Sequence, residues 1–182
     1  MDHLLWSLLG CVMFPVWLAA GLLDYWLHQR TRIAATAGLP ESRLHLAQTA
    51  QVGVPVLIVL FLELNGLALL LVVAGAAAHT VTAYWDIRYA SRHREILPLE
   101  QMTHAFLIAL PVFATALLLV LHWSGSSAPD APSVIDGTAW ELRPRRHPWD
   151  VGVVHAVLLA SFLFGLLPGL AEWWQARKAA TM

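Results

Sequence analysis

Apolar residues run along the chain in five long blocks, separated by short stretches where charge, glycine and proline concentrate. The blocks cover about 4–27, 41–64, 67–89, 98–123 and 151–174, each near the ~20 apolar residues that a helix needs to cross a bilayer. Pro15, Pro55 and Pro111 fall inside the first, second and fourth blocks, and Pro15 is expected to kink its helix. The segment His28 to Pro40 reads as a basic loop or short surface helix ending at Gly38 and Pro40. Asn65-Gly66 predicts a tight reversal, so the second and third spans pack antiparallel. The alternative for 41–89 is a re-entrant hairpin of half-length helices. Arg88 to Pro98 is a short charged loop. The outer loop 124–149 joins flexible linker chemistry, SGSSAPDAP, to an interfacial stretch, WELRPRRHPW.

Composition sharpens this into a class. Residues are 58% hydrophobic and 13% charged, where a soluble domain has about 25% charged. Mean hydropathy is +0.62. The expectation is one all-α integral membrane domain over 1–182, with about five transmembrane helices. Four form an antiparallel bundle around a polar or metal site, and the fifth packs outside. A net charge of −1 gives no basic surface for nucleic acid. Cys11 is the single cysteine, so no internal disulfide can form. The first span lacks a basic n-region and is longer than a signal-peptide core, so a cleaved leader is not expected.

Basic residues set the expected orientation. With the N-terminus outside, the inner side holds Arg30, Arg32, Arg43, Arg88, Arg92, Arg94, Arg177 and Lys178, against Arg143, Arg145 and Arg146 outside. Arginine outnumbers lysine strongly, as in GC-rich bacterial coding. The expected location is therefore a bacterial inner membrane, multi-pass, with the C-terminus cytoplasmic and the lipid bilayer as principal partner.

Within that topology one pattern points to chemistry. Asp24/His28, Glu41/His45 and Glu100/His104 each place a carboxylate and an imidazole four residues apart, on one helix face. Twelve acids and nine histidines would give roughly one such pair by chance. All three fall at the inner ends of their spans, and the third span brings His79 and Asp86 down to the same side. Each of four helices thus offers one carboxylate and one imidazole. Ionisable groups in a bilayer pair, line a cavity or bind an ion. Four acids and four histidines suit two divalent metals; oxygen and imidazole donors without thiolate favour Fe, Mn or Zn. The plain structural alternative is that the acids pair with Arg30, Arg43, Arg88 or Arg92 at the surface. The layout is similar to di-iron carboxylate four-helix bundles, but with i+4 rather than i+3 spacing.

Other candidates carry less. Tyr89 and His93 continue the face of Asp86 as possible supports for the ligands. Glu63 reads as a solvated cap. His122 and His155 could bridge a haem, but interfacial polarity explains them more simply. The tryptophans at 6, 26, 85, 123, 149, 173 and 174 read as interface anchors.

Four stretches, DYWLHQRTRIAATAGLPESRLHLAQ, VPVLIVLFLELN, HTVTAYWDIRYA and PLEQMTHAF, resemble a family of small bacterial integral-membrane proteins with D-x3-H, E-S-x3-H, H-x6-D and E-x3-H motifs. The resemblance implies glutamates in relatives at the positions of Ala34 and Thr80, and no activity. The functional expectation rests on the residues. It is an inner-membrane dinuclear metal protein, with two iron ions first and zinc or manganese as alternatives. It would act as an oxidoreductase or oxygenase on a lipid or quinone-like small molecule. Its ligands would be Asp24, His28, Glu41, His45, His79, Asp86, Glu100 and His104. The rivals are a zinc-dependent intramembrane lipid hydrolase and a non-catalytic transport or assembly protein.

Overall fold

Each apolar block folds as a helix. The computed structural model describes residues 2–125 and 140–181. Five helices are long and apolar enough to cross a membrane: α1 His3–Thr31, α2 Gly38–Phe61, α3 Gly66–Ala90, α4 Pro98–Trp123 and α5 Val151–Ala179. Their outward faces carry large apolar side chains such as Leu70, Val81, Phe106, Phe113 and Leu159, as suits a protein solvated by lipid. Of the loop expected over 124–149, residues 126–139 lie outside the described residues.

α2 and α3 are continuous helices of 24 and 25 residues, about 36 Å each at ~1.5 Å per residue. The half-length helices of a re-entrant hairpin are therefore not formed. The two pack along each other, and α1 packs on α4, α4 on α3. α5 lies against α1, α2 and the short 3-10 turn Ile33–Ala35 between them, rather than outside the other four.

Prolines explain several local features. A proline at position i removes the donor for the carbonyl at i−4. In α1 the helix widens to a π segment at Leu8–Met13 just before Pro15, and in α5 at Ser161–Leu166 just before Pro168. Each segment contains the carbonyl whose i+4 donor its proline removes (Cys11 and Phe164), so the change of hydrogen-bond pattern falls where the ladder is interrupted. In α4, Pro111 frees the Leu107 carbonyl, and the His79 ring donates to it from α3 through Nε2 at 3.1 Å. In α2, Pro55 and the Gln51 carbonyl face Gly75 so closely that a Cβ there would lie 2.7 Å from Pro55 Cγ and 2.8 Å from Gln51 O. Only glycine allows α2 and α3 to approach this far.

The connections use ordinary capping chemistry. α1 ends with Arg32 in the left-handed region, φ 53°. Gly38 begins α2 rather than closing the preceding loop, and Pro40 sits in the first turn, where its missing N–H breaks no bond. Asn65 is the N-cap of α3, its side-chain oxygen accepting from the Ala68 N–H at 3.0 Å. Asp150 caps α5 by accepting from Gly152 N–H at 2.8 Å.

The stretch before α5 closes the end of α2. Leu62 and Pro144 form an isolated antiparallel bridge. Arg145 Nη1 and Trp149 Nε1 both donate to the Val59 carbonyl, at 3.0 and 3.2 Å. The Arg145 guanidinium also sits 4.8 Å from the Trp149 ring centre, and Trp149 meets Trp6 of α1 edge-on. Glu63 accepts from the Arg146 N–H at 2.7 Å, and His122 donates to the Leu64 carbonyl at 2.7 Å. These contacts give both side chains structural roles at this end of the molecule.

Candidate functional site

At the opposite end, the helices bury an unusual amount of charge. Asp24, Glu41, Asp86, Glu100 and Glu172 are all buried, and so are His28 and His104, with His45 beside them. Arg94 enters from the loop after α3, its side chain 3% exposed. It donates to Glu41 through Nη2 at 2.7 Å and to Glu100 through Nη1 at 3.0 Å and through Nη2. Burial alone would lower the pKa of Arg94, but the hydrogen bonds and charges of Glu100 and Glu41 override it and raise the value above its ordinary position. The guanidinium is a permanent charge. The arginine that meets these acids is thus Arg94, not Arg30, Arg43, Arg88 or Arg92.

Glu172 of α5 was not anticipated. It receives His28 Nδ1 on Oε2 at 2.9 Å and His45 Nδ1 on Oε1 at 2.7 Å. The two imidazoles stack, with ring centres 4.7 Å apart and planes 4° from parallel. One carboxylate therefore sets the orientation of both rings and leaves each Nε2 turned into the cluster. Such an outer carboxylate on a histidine is the usual support for a metal-ligating imidazole. Its signal in the sequence was an acid at the end of α5, immediately before Trp173-Trp174, on the side where the other acids converge.

The Nε2 atoms meet more carboxylates. His45 Nε2 lies 3.0 Å from Asp86 Oδ2, which also accepts from Gln48 at 3.1 Å. His28 Nε2 lies 3.3 Å from Glu100 Oε1 and 3.6 Å from Asp24 Oδ2, and His104 Nε2 lies 3.1 Å from Asp24 Oδ1. Among the described residues, Asp24 Oδ1, His28 Nε2 and both His104 nitrogens have no hydrogen-bond partner, although all are buried. A ring that donates Nδ1–H to Glu172 and stays neutral presents a lone pair at Nε2, facing carboxylate oxygens. Two such acceptors can be held together only by a cation between them, a proton or a metal.

Spacing bears on which. Ligand bonds of about 2.1 Å put neighbouring ligands about 3.0 Å apart around an octahedral ion and about 3.4 Å apart around a tetrahedral one. The separations of 3.1, 3.3 and 3.6 Å match those edges; the two shorter ones also suit an imidazolium–carboxylate ion pair, although neither His28 Nε2 nor His104 Nε2 makes a hydrogen bond of good geometry. One ligand atom each from Asp24, His28, Glu100 and His104 lies within 4.8 Å of the others, and so do those of an overlapping group, His28, Glu41 and His45. This buried Asp/His/Glu group can hold a metal ion. A small cavity of about 90 Å³ beside it, lined by Asp24, His28, His45, Gln48, His79 and Glu172, has room for small polar occupants.

The remaining candidates lie differently. His79 lines that cavity, but its Nε2 is committed to the Leu107 carbonyl and meets no carboxylate. Asp86 reaches the cluster through His45 rather than through His79. Tyr89 donates its hydroxyl to the Ala37 carbonyl at 3.2 Å, and the exposed His93 stacks on Tyr89 with ring centres 4.1 Å apart. Those two side chains tie the end of α3 to the turn before α2. No family model, curated protein or solved structure matches the chain.

Proposed function

We propose that the protein is a membrane-embedded metalloprotein whose buried cluster holds two divalent ions, iron first among them, and acts as an oxidoreductase on a lipid-soluble substrate. One ion would take Asp24, His28, Glu100 and His104. The second would take Glu41 and His45, next to Asp86, because His28 has one free ring nitrogen and serves a single ion. The observation that carries this reading is that His28 Nε2, His104 Nε2 and Asp24 Oδ1 are buried without hydrogen-bond partners, at separations from one another and from Glu100 that a coordination shell would have.

Charge supports the count. Five buried carboxylates against the one Arg94 guanidinium leave four negative charges when the imidazoles are neutral. Uncompensated, that burial would cost several kcal/mol per ion even after relaxation. Two divalent cations offset it in full. Carboxylate and imidazole donors without thiolate suit Fe, Mn and Zn. Iron would supply redox chemistry at the site, while this chain holds it, orients His28 and His45 through Glu172, and keeps bulk water away. In the bilayer this end of the helices would face the cytoplasm, because it carries most of the arginine.

Elemental analysis of protein purified in detergent tests the reading, with Mössbauer spectra to identify iron. About two metal equivalents, lost in a variant with Asp24, His28, Glu100 and His104 all changed to alanine, is the expected result. Zinc in colourless protein would keep the site and replace oxidation with hydrolysis. Substoichiometric metal unchanged in the variant would overturn the proposal, leaving the histidines as protonated links in a salt-bridged scaffold.

A further inference from the structure

A second cavity, about 620 Å³, lies on the other side of Trp17 from the cluster. We infer that it is the binding site for one long apolar chain of the substrate, held so that the chain's polar end passes Trp17 toward the cluster. The direction of the chain rests on the metal reading above; the binding of a chain does not.

All five helices contribute wall: Gly10 and Trp17 from α1, Pro55 from α2, Ala76 from α3, Ala114 from α4 and Ala156 from α5. Small residues on four of the helices leave the space open, and a Cβ built at Gly10 would meet nothing within 4 Å. The two wall prolines, Pro55 and Pro111, bring no N–H to be satisfied. The carbonyl that Pro111 frees is turned to His79 on α3. The wall is mainly apolar; its few polar side chains include His3, Ser7, Gln51 and Thr115, and Trp17 Nε1 and Gln51 Oε1 are buried there without a hydrogen-bond partner, so a polar group could be met only at those points. Apolar matter is what such a space holds.

Size narrows the occupant. The volume falls within the ~300–1,000 Å³ of sites that enclose one small molecule, which fits a single chain rather than a two-chain membrane lipid. Position gives the role. Trp17 lines both the apolar cavity and the small polar one that holds Asp24, His28, His45 and Glu172, so its indole is the partition between them. A single-chain molecule with a polar end, such as a long-chain alcohol, acid or prenylated ring, would reach the cluster by displacing that side chain.

The test uses the full chain in detergent and tritiated hexadecanol as probe. Wild-type protein should bind about one equivalent saturably. Ala114→Phe should weaken binding at least tenfold with metal content unchanged, and Gly10→Leu, on the α1 wall of the cavity, serves if Ala114→Phe does not fold. Saturable binding that neither folded variant alters would overturn the inference, as would binding that never saturates, the behaviour of probe dissolved in the micelle. Loss of metal in His104→Ala with hexadecanol binding intact is the expected independence. If metal analysis fails for wild type but Ala114→Phe still blocks binding, the metal reading falls and the chain site stands.

Discussion

The pairing of His79 with the Leu107 carbonyl assigns a structural reason to a histidine in an otherwise apolar run, and it can be isolated experimentally. Pro111 withholds the N–H that would bond Leu107 within α4, and His79 replaces it from α3. His79→Leu keeps most of the volume and removes the donor. The ring is 2% exposed, so the carbonyl would be left buried and unpaired. An acceptor abandoned in this way costs about 1–3 kcal/mol in soluble proteins, and polar couplings between membrane helices average ~0.6 kcal/mol, with a maximum near ~1.7. We expect a loss of about 1–2 kcal/mol in equilibrium unfolding in mixed micelles. Pro111→Ala returns an intrahelical donor to Leu107. In that background His79→Leu should cost less, by about 0.6–1.5 kcal/mol. The cycle cancels any effect of the histidine's size, because that change is common to both backgrounds. Additivity within ~0.3 kcal/mol would refute the exchange of donors. A loss of one metal equivalent on His79→Leu alone would show that the ring ligates after all.

Other substitutions address the cluster and its frame. Glu172→Gln keeps the shape but removes the charge that holds both Nδ1–H groups, and metal affinity in a chelator competition should fall about 10–100-fold; unchanged affinity would dismiss Glu172 as a positioning residue. Arg94→Met removes the guanidinium that bonds both Glu41 and Glu100 and should destabilise the protein by about 3–5 kcal/mol. A variant within ~1 kcal/mol of wild type in detergent unfolding would contradict the assignment. Gly75→Ala drives a methyl into Pro55 and the Gln51 carbonyl and should cost about 1–3 kcal/mol, read as a lowered unfolding midpoint; a neutral result would mean that α2 and α3 separate freely.

Much of this was legible in the chain. The five spans came from the length of the apolar blocks, because a bilayer makes that signal strong. The pairing of carboxylate and imidazole on one helix face came from spacing, and Asp24, His28, Glu100 and His104 do meet. Three things were not legible. His79 went to a carbonyl because its partner is created by a proline on another helix, which no local pattern reveals. Arg94 was one of three basic residues in its loop, and only the fold decides which one turns inward. Glu172 stood alone, with no histidine four residues away, so a search by spacing passed over it. The role of α5 was misjudged for the same reason. Its apolar face looks like that of any peripheral span, and its one inward acid lies near the end.

The two π segments bear on how this architecture can change. An extra residue within a helical turn rotates everything beyond it by roughly 100° about the axis. α1 and α5 each contain such a segment, and each carries cluster residues farther along: Asp24 and His28 in one, Glu172 in the other. In α1 the segment is also wall for the large cavity, through Leu9, Gly10, Cys11 and Met13. The segment thus works as a phase adjuster between two stretches of one helix that face different tasks. Lineages could gain or lose a residue at that point, reshape the apolar chamber, and keep the charged end in register by absorbing the rotation within a single turn.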